Sequence, residues 1–286
     1  MAEEGRQTAR QKRRAFEARF GEKLLPTGWF FVPKLFQLTR CYCKVVPGVG
    51  VAAVSMDFSP RGDESSVETH FFALGLGTHT FGLSEHGPVV TEVEEAEILA
   101  RTPRPPQLEF RQKSYEEQLD WNEQAFFGEM FARVDAIHSV EDLYAAAIPT
   151  YARDWLHKVN WTKKYQLCAW AKHYDAALGA LRGLWAARQA ALLEYDRELA
   201  ALDRVMTESR EKLERSLKWG WVGYNHRERA RTKARIDQLD EWIAQLEAGD
   251  TRALDAEVRA NVEAASALLR ERLGARFADG EERERP

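Results

Sequence analysis

The feature that most constrains this chain is a heptad pattern of apolar residues in its C-terminal half. The apolar positions alternate steps of four and three residues, which is the a/d spacing of a coiled coil. They are Leu178, Leu181, Trp185, Leu192, Tyr195, Leu199, Leu202, Met206 and Leu213, with Arg188 and Ser209 as polar interruptions. A helix with so narrow an apolar stripe requires a second element to cover it.

A second apolar series follows, and its length matches the first. No strong helix breaker lies between Trp161 and Leu217, so one helix of about 85 Å is expected there. We expect Gly220 and Gly223 to break that helix, and Gly249-Asp250 to interrupt the returning one. The returning series is Ile236, Leu239, Ile243, Leu246, Leu254, Val258, Val262, Leu269 and Leu273. The match predicts an intramolecular antiparallel hairpin, although a homo-oligomer could cover the same seam.

The N-terminal half alternates between helical and strand patterns. Residues 6–25 predict a helix that carries Phe16, Phe20 and Leu24 on one face and ends at Pro26. Three strand segments follow at residues 36–46, 49–58 and 67–81, the last interrupted by Gly75 and Gly77. Short turns between consecutive strands favour an antiparallel meander.

Two capping signatures predict further helices. Ser114-x-x-Glu117 opens a helix through about Val134, and Ser139-x-x-Asp142 opens another that runs toward His157. The predicted fold class is therefore α+β, an antiparallel β-sheet with covering helices followed by a long antiparallel helical hairpin. The predicted domains are residues 1–160 for the α+β body, 161–276 for the hairpin and 277–286 for a charged, disordered tail.

Composition narrows the classes of partner. The formal net charge is −4, so nothing in the overall charge favours nucleic acid or an anionic membrane. No stretch approaches the roughly 18 apolar residues of a membrane span, and the N-terminus lacks an apolar signal core, so we expect a cytoplasmic protein. The spacing Cys41-x-Cys43 places two thiols on one strand face, and with Cys168 they are interpreted as reduced core thiols.

Motifs for catalysis are sparse. His70, His79 and His86 lie on or after the third strand segment, where a metal-dependent site is conceivable. No H-E-x-x-H spacing supports it, the glycine-rich residues 75–82 are neither a P-loop nor a dinucleotide fingerprint, and no G-x-S-x-G occurs. The sequence therefore predicts no metal and no cofactor, and it favours a protein that is not an enzyme.

The expected tip of the hairpin is the best candidate for a binding site. Aromatic residues beside arginines suit a protein hot spot or the stacking of nucleic-acid bases. The candidate partner-binding residues are Trp219, Trp221, Tyr224, Arg227, Arg231 and Arg235. The three arginines fall four residues apart, so they are expected to form one stripe on the returning helix. The alternative is that the aromatic residues close the hairpin core and the arginines pair with Glu208, Glu211 and Glu214. The basic N-terminal helix is interpreted as a solvated helix that covers the sheet.

Short motifs of the N-terminal half occur in the order seen in one bacterial family. They are Leu24-Leu25-Pro26-x-Gly28-Trp29 after the Phe16 and Phe20 helix, Val54-Ser55-Met56-Asp57-Phe58, residues 71–77, residues 137–143 and Ile148-Pro149. With these motifs the first 160 residues resemble an uncharacterised α+β family found among polymorphic-toxin immunity and defence-associated proteins. The resemblance implies a small binding module and brings no catalytic residues.

The sequence thus predicts a non-catalytic interaction protein, a bacterial defence or toxin-immunity component. It would bind a protein partner through the α+β body and the hairpin tip. Two alternatives stay open: an accessory nucleic-acid-binding protein, and a metal-dependent enzyme with a site near His70–His86.

Overall fold

The computed structural model shows an α+β fold with an antiparallel sheet and a long helical hairpin, as the sequence predicts. It describes residues 8–36, 38–58, 65–76, 113–148, 160–208 and 218–282. The chain divides into two compact units. The first comprises Met1–Asn160 and Val258–Pro286, and the second comprises Trp161–Glu257.

The sheet of the first unit is an antiparallel meander with the strand order β1-β2-β3-β4. The strands are β1 Phe30–Leu35, β2 Leu38–Val46, β3 Gly50–Phe58 and β4 Ser65–Ala73. The meander is confirmed, but β4 ends earlier than predicted. Leu74–Leu76 forms a 3-10 turn after it, so Gly75 lies in a bend at the end of the strand.

Strand β1 was not predicted, because it contains Pro33 and joins β2 through an unusual turn. Phe36 adopts a left-handed φ of 52° in the two-residue turn that pairs Leu35 with Leu38. Left-handed backbone is rare for a bulky residue, so the turn has no sequence signature. Proline is tolerated because β1 lies at the sheet edge, and the ladder lacks a pair at Pro33 opposite Arg40.

Two helices of the first unit begin at the predicted caps, Ser114 and Ser139, and the first helix begins after Thr8, which was not predicted as a cap. Thr8, Ser114 and Ser139 each accept a hydrogen bond from the backbone of the first helical turn, and the first two form capping boxes. The helices are α1 Ala9–Leu24, α2 Tyr115–Ala125, α3 Phe131–Asp135 and α4 Val140–Ala147. A π-helical turn, Phe126–Met130, joins α2 to α3.

Helices cover both faces of the sheet. On one face, Tyr42 donates its hydroxyl hydrogen to the Glu17 carbonyl of α1, and Tyr115 of α2 donates to the Lys12 carbonyl at 2.6 Å. Strand side chains alternate between faces, so the neighbouring Cys41 and Cys43 point to the other one. The helix Ala275–Glu282 contacts β2 there and brings Arg276 toward Cys43.

The second unit contains the hairpin. Its helices are α5 Trp161–Trp170, α6 Tyr174–Glu208, α7 Lys218–Glu247 and the start of α8 Arg252–Leu273, which continues into the first unit before α9 Ala275–Glu282. Helices α6 and α7 pack antiparallel along their length. Arg182 Nη2 lies 2.6 Å from Glu247 Oε1, and Arg229 Nε lies 2.5 Å from Asp196 Oδ1. The seam of α6 is therefore covered within one chain.

Three helix boundaries differ from expectation. The outgoing helix is broken at 171–173, where Lys172 adopts a φ of 64° and the His173 N–H bonds the Cys168 carbonyl at 2.8 Å. Gly220 and Gly223 lie inside α7 and do not break it, because an interior glycine costs a helix only about 1 kcal/mol. The tail that was expected to be disordered begins as α9, in which Phe277 is buried.

The predicted stop at Gly249 is confirmed as a Schellman motif. Asp250 N–H bonds the Gln245 carbonyl at 2.8 Å, Gly249 N–H bonds the Leu246 carbonyl at 2.9 Å, and Gly249 has a φ of 77°. Aspartate was expected to cap the next helix from position 250. Thr251 instead directly precedes α8, and the Asp250 carboxylate accepts from the Arg252 N–H at 3.0 Å.

Gly249→Ala is expected to lower the free energy of unfolding of the second unit by about 1 kcal/mol, because an L residue is strained at this φ. Gly179→Ala is the matched control and should raise it by about 0.5–1 kcal/mol, since Gly179 lies inside α6. No atom lies within 4 Å of an added Cβ at either position, so backbone conformation alone separates them. Urea unfolding followed by circular dichroism measures both changes in the free energy of unfolding. Changes of the same sign in the two variants would contradict the left-handed backbone at Gly249.

Candidate functional site

The aromatic members of the predicted hairpin-tip site lie in the first turns of α7. The backbone of Trp219, Trp221 and Tyr224 is helical from Lys218 onward. Their side chains lie outside the part of the chain that the structure describes, as do those of Glu208, Glu211 and Glu214. Their role at the tip stays a prediction.

The three arginines of the predicted stripe have different surroundings. Arg227 and Arg231 are exposed, and Arg231 Nη1 lies 2.7 Å from Glu228 Oε1 in the preceding helical turn. Arg235 is half-buried. Arg227 and Arg231 therefore reach solvent, Arg231 as the ion-pair partner of Glu228, and the exposed stripe is shorter than the spacing suggested.

Arg235 belongs to a packed polar cluster of the second unit. Its Nη2 donates to the Tyr165 hydroxyl at 2.8 Å, and its guanidinium lies 4.9 Å from the Trp242 ring centroid. The Tyr165 hydroxyl donates to Glu257 Oε1 at 2.7 Å, and burial raises the pKa of Tyr165. Arg235 thus contributes to the packing of α5, α7 and α8, which is a structural role.

A second polar cluster lies at the base of the hairpin, at the break between α5 and α6. Lys172 Nζ lies 2.5 Å from Asp255 Oδ1, which also accepts from the Tyr174 hydroxyl at 2.7 Å. Burial opposes ionisation of Asp255, but these hydrogen bonds and one from Thr251 hold its pKa below the usual value. The cluster holds the left-handed Lys172 in place.

Away from this base, few of the described α6 side chains are buried. We call residues 185–208 of α6 and 218–235 of α7 the distal arm. Between residues 185 and 201, Leu199 is the only buried residue, while the seam residues Trp185, Leu192 and Tyr195 remain partly exposed. Leu193 is 57% exposed. Helix α7 covers the seam without burying it completely.

The histidines and cysteines give the metal alternative little support. His70 is buried on β4 with Nε2 3.4 Å from Ser55 Oγ, and His79 and His86 lie outside the described residues. Within the described residues, no group of three or more histidine, cysteine and acidic side chains is placed to hold a metal. Cys41 and Cys43 are buried free thiols with sulfurs 3.7 Å apart, and burial raises the pKa of Cys43, so the interpretation as core thiols is confirmed.

A cationic cleft, which was not predicted from the sequence, lies between α1 and β2. The cleft has a volume of about 180 Å³ and is lined by Arg10, Arg13, Arg14 and Arg40. The spacing of the first three at i, i+3 and i+4 was a signal in the sequence. The contribution of Arg40 depends on how β2 packs against α1, which no local pattern indicates. We call these four residues the arginine cleft.

No family model matches this chain, and neither a curated protein nor a solved structure matches it. Among the described residues, no helix is both long enough and apolar enough to cross a membrane.

Proposed function

We propose that this chain is a non-catalytic interaction protein that binds a protein partner through its distal arm. The α+β body would supply a further binding surface. The narrower proposal, a bacterial defence or toxin-immunity component, is supported only by the resemblance of residues 1–160 to that family.

The sparse burial of residues 185–201, the part of the distal arm whose α6 side chains the structure describes, carries the proposal. Ordering a residue costs about 1–2 kcal/mol of backbone entropy, and burial of apolar side chains is the main term that offsets it. Between residues 185 and 201 only Leu199 is buried. Trp185, Leu192 and Tyr195 keep apolar surface that a third element could cover. An arm of this kind gains stability when a partner completes the burial of its seam.

The chemistry of the arm indicates the kind of partner. Arg227 and Arg231 fall one helical turn apart on α7, so their side chains share one face. A partially covered apolar seam beside two exposed cations suits an amphipathic helix with acidic residues. The partner in this proposal is therefore an acidic, helical protein surface.

Arg227→Glu combined with Arg231→Glu is expected to weaken capture of the partner at least about tenfold, since it replaces attraction with repulsion. The measurement is affinity purification with the tagged chain from host cells, followed by mass measurement of the complex. Arg10→Glu combined with Arg14→Glu makes the same charge change in the α+β body, so a smaller loss of capture in this variant would assign the main contact to the arm.

Three outcomes contradict the proposal. One is that no stoichiometric partner is recovered, and another is that the arm variant captures the partner as well as the unaltered chain does. The third is that DNA or RNA binds with a steep salt dependence that the arm variant abolishes, which would favour the nucleic-acid alternative.

A further inference from the structure

We propose that the arginine cleft of the first unit binds the phosphomonoester group of a small phosphorylated molecule. The proposal does not depend on the distal arm, because all four lining residues belong to the first unit. It rests on the cavity, on the charges that line it and on the way Arg40 is held.

The three arginines of α1 occupy positions that are electrostatically unfavourable in a helix. Arg10, Arg13 and Arg14 are exposed in the first two turns of α1, which has no acidic residue in its first turn. Helices α2 and α4, by contrast, each carry two acids there. Cations are unfavourable near a helix N-terminus, and like charges three or four residues apart repel. A bound anion would relieve both effects.

Arg40 forms a rigid wall of the cleft. Its backbone adopts a left-handed φ of 57° opposite Pro33, and its guanidinium lies 5.5 Å from the Phe31 ring centroid. One edge of the guanidinium is paired with Glu17, because Nε and Nη2 donate to the two carboxylate oxygens. The Arg40 side chain has therefore lost its conformational freedom before any ligand binds, which lowers the entropic cost of binding.

The cleft carries more positive charge than the described carboxylates around it compensate. Four guanidinium groups line it, and the Glu17 carboxylate compensates one of them. Within the described part of the chain, Arg10 and Arg14 have no carboxylate partner. An anion that carries more than one charge and several acceptor oxygens fits this surplus better than a carboxylate does. A phosphomonoester carries about −1.5 to −2 charges at pH 7 and three strong acceptor oxygens.

The cleft is large enough to enclose only one phosphate-sized group of the ligand. Pockets that enclose whole small molecules usually have roughly 300–1,000 Å³. This cleft, at about 180 Å³, is smaller than such pockets and has room for a phosphate group. The remainder of the ligand would therefore lie outside the cleft.

The neighbouring aromatic residue argues against a nucleic-acid strand. Single-stranded nucleic acid binds where bases stack on open aromatic faces beside a cationic groove. Phe31 is the ring that contacts Arg40, so the guanidinium covers one of its faces, and its ring packs edge-on against Tyr42 at 5.6 Å. A compact cluster also suits one dianion better than a row of phosphodiester monoanions.

Isothermal titration calorimetry of the full chain with phenyl phosphate tests the proposal at low salt and pH 7.5. We expect one binding site for phenyl phosphate and for inorganic phosphate, with methyl phenyl phosphate, a monoanionic diester, at least about tenfold weaker. Arg10→Gln combined with Arg14→Gln should weaken phenyl phosphate binding at least about tenfold, because each charge-assisted hydrogen bond contributes strongly. Both residues are exposed, so unchanged circular dichroism should confirm that this variant folds.

Glu17→Gln is expected to strengthen phenyl phosphate binding, which is the opposite of the effect of the arginine variant. A variant that merely unfolds could not bind more tightly, so this result separates an effect on binding from an effect on stability. Glutamine keeps one oxygen that can accept a hydrogen bond from Arg40 but removes a negative charge that repels the ligand, so phenyl phosphate should bind several-fold tighter. Arg227→Gln combined with Arg231→Gln is the matched control and should leave binding unchanged.

Each of the following results would overturn the proposal: no heat of binding with either phosphate probe, equal affinity for the diester, or equal weakening in the matched control. Binding of a phosphoserine peptide or a 5′-phosphorylated oligonucleotide more than about tenfold tighter than phenyl phosphate would overturn the assignment to a small molecule.

Discussion

Phe20→Ala is expected to lower the free energy of unfolding of the first unit by about 3–5 kcal/mol. The Phe20 side chain is completely buried, and its ring centroid lies 4.5 Å from that of Phe16, 5.6 Å from Phe126 and 5.3 Å from Phe127. Alanine would leave a cavity where α1 meets the π-helical turn. Stable domains have only about 5–15 kcal/mol in total, so this is a large fraction. Urea unfolding followed by circular dichroism measures the loss.

Two control variants make the result specific. Phe20→Leu keeps most of the volume and should cost much less than alanine does. Leu25→Ala removes a residue that is 52% exposed, directly after α1, and should change the free energy of unfolding by less than about 0.5 kcal/mol. A loss below about 1 kcal/mol for Phe20→Ala would show that α1 does not pack as described. The arginine cleft would then lose its support, because α1 carries three of its residues.

Gly50→Ala is expected to destabilise the first unit by about 3 kcal/mol or more. An added Cβ would lie 2.2 Å from the Phe72 carbonyl oxygen and 3.0 Å from the Phe71 ring, and the backbone φ of 154° lies in a region that favours glycine. The nearest obstacle is a backbone atom in the paired strand β4, so no side-chain rotation can relieve the clash. Strands β3 and β4 would have to separate locally, with loss of ladder hydrogen bonds.

Gly48→Ala in the same turn is the matched control for Gly50→Ala. Gly48 has a φ of 70°, but an added Cβ would meet no atom within 4 Å. Its replacement should therefore cost only about 1 kcal/mol, the conformational part of the effect. The difference between the two urea midpoints measures the contribution of the clash. Equal losses for the two variants would mean that the close approach of Gly50 to Phe72 is not present in solution.

Much of the fold was predictable because the signals are local. The capping boxes at Ser114 and the cap at Ser139 depend on residues three apart, and the structure begins α2 and α4 at these positions. The apolar spacing of Phe16, Phe20 and Leu24 predicted the buried face of α1. Gly249 marked a helix end, since glycine alone reaches a left-handed backbone without strain.

The unpredicted elements depend on contacts between residues that are far apart in sequence. Lys172 breaks the outgoing helix without glycine or proline, and its ion pair with Asp255 connects residues 83 positions apart. Strand β1 tolerates Pro33 because it lies at the sheet edge. The helical tail exists where Phe277 is buried and Arg276 donates to the Phe31 carbonyl at 2.6 Å.

The candidate sites also combine features that the local sequence predicted with contacts that only the fold provides. The basic spacing of α7 suggested a stripe of three arginines, but Arg235 packs on Trp242 and leaves two exposed cations. That packing involves α5 and α8 and has no signal in the local sequence. The arginines of α1 were visible as a pattern and were interpreted as a solvated face. Only the position of Arg40 on β2 makes them part of a cavity.

The sequence by itself determined the α+β class, the caps of the helices and the antiparallel hairpin, because hydrophobic periodicity and cap chemistry act over a few residues. The tertiary structure decided which charged residues pack inside and which surround an open cavity. The physical reason is that the burial and pairing of a charge depend on neighbours from distant segments. Arg40 meets Glu17 across 23 residues, and Arg235 meets Tyr165 across 70.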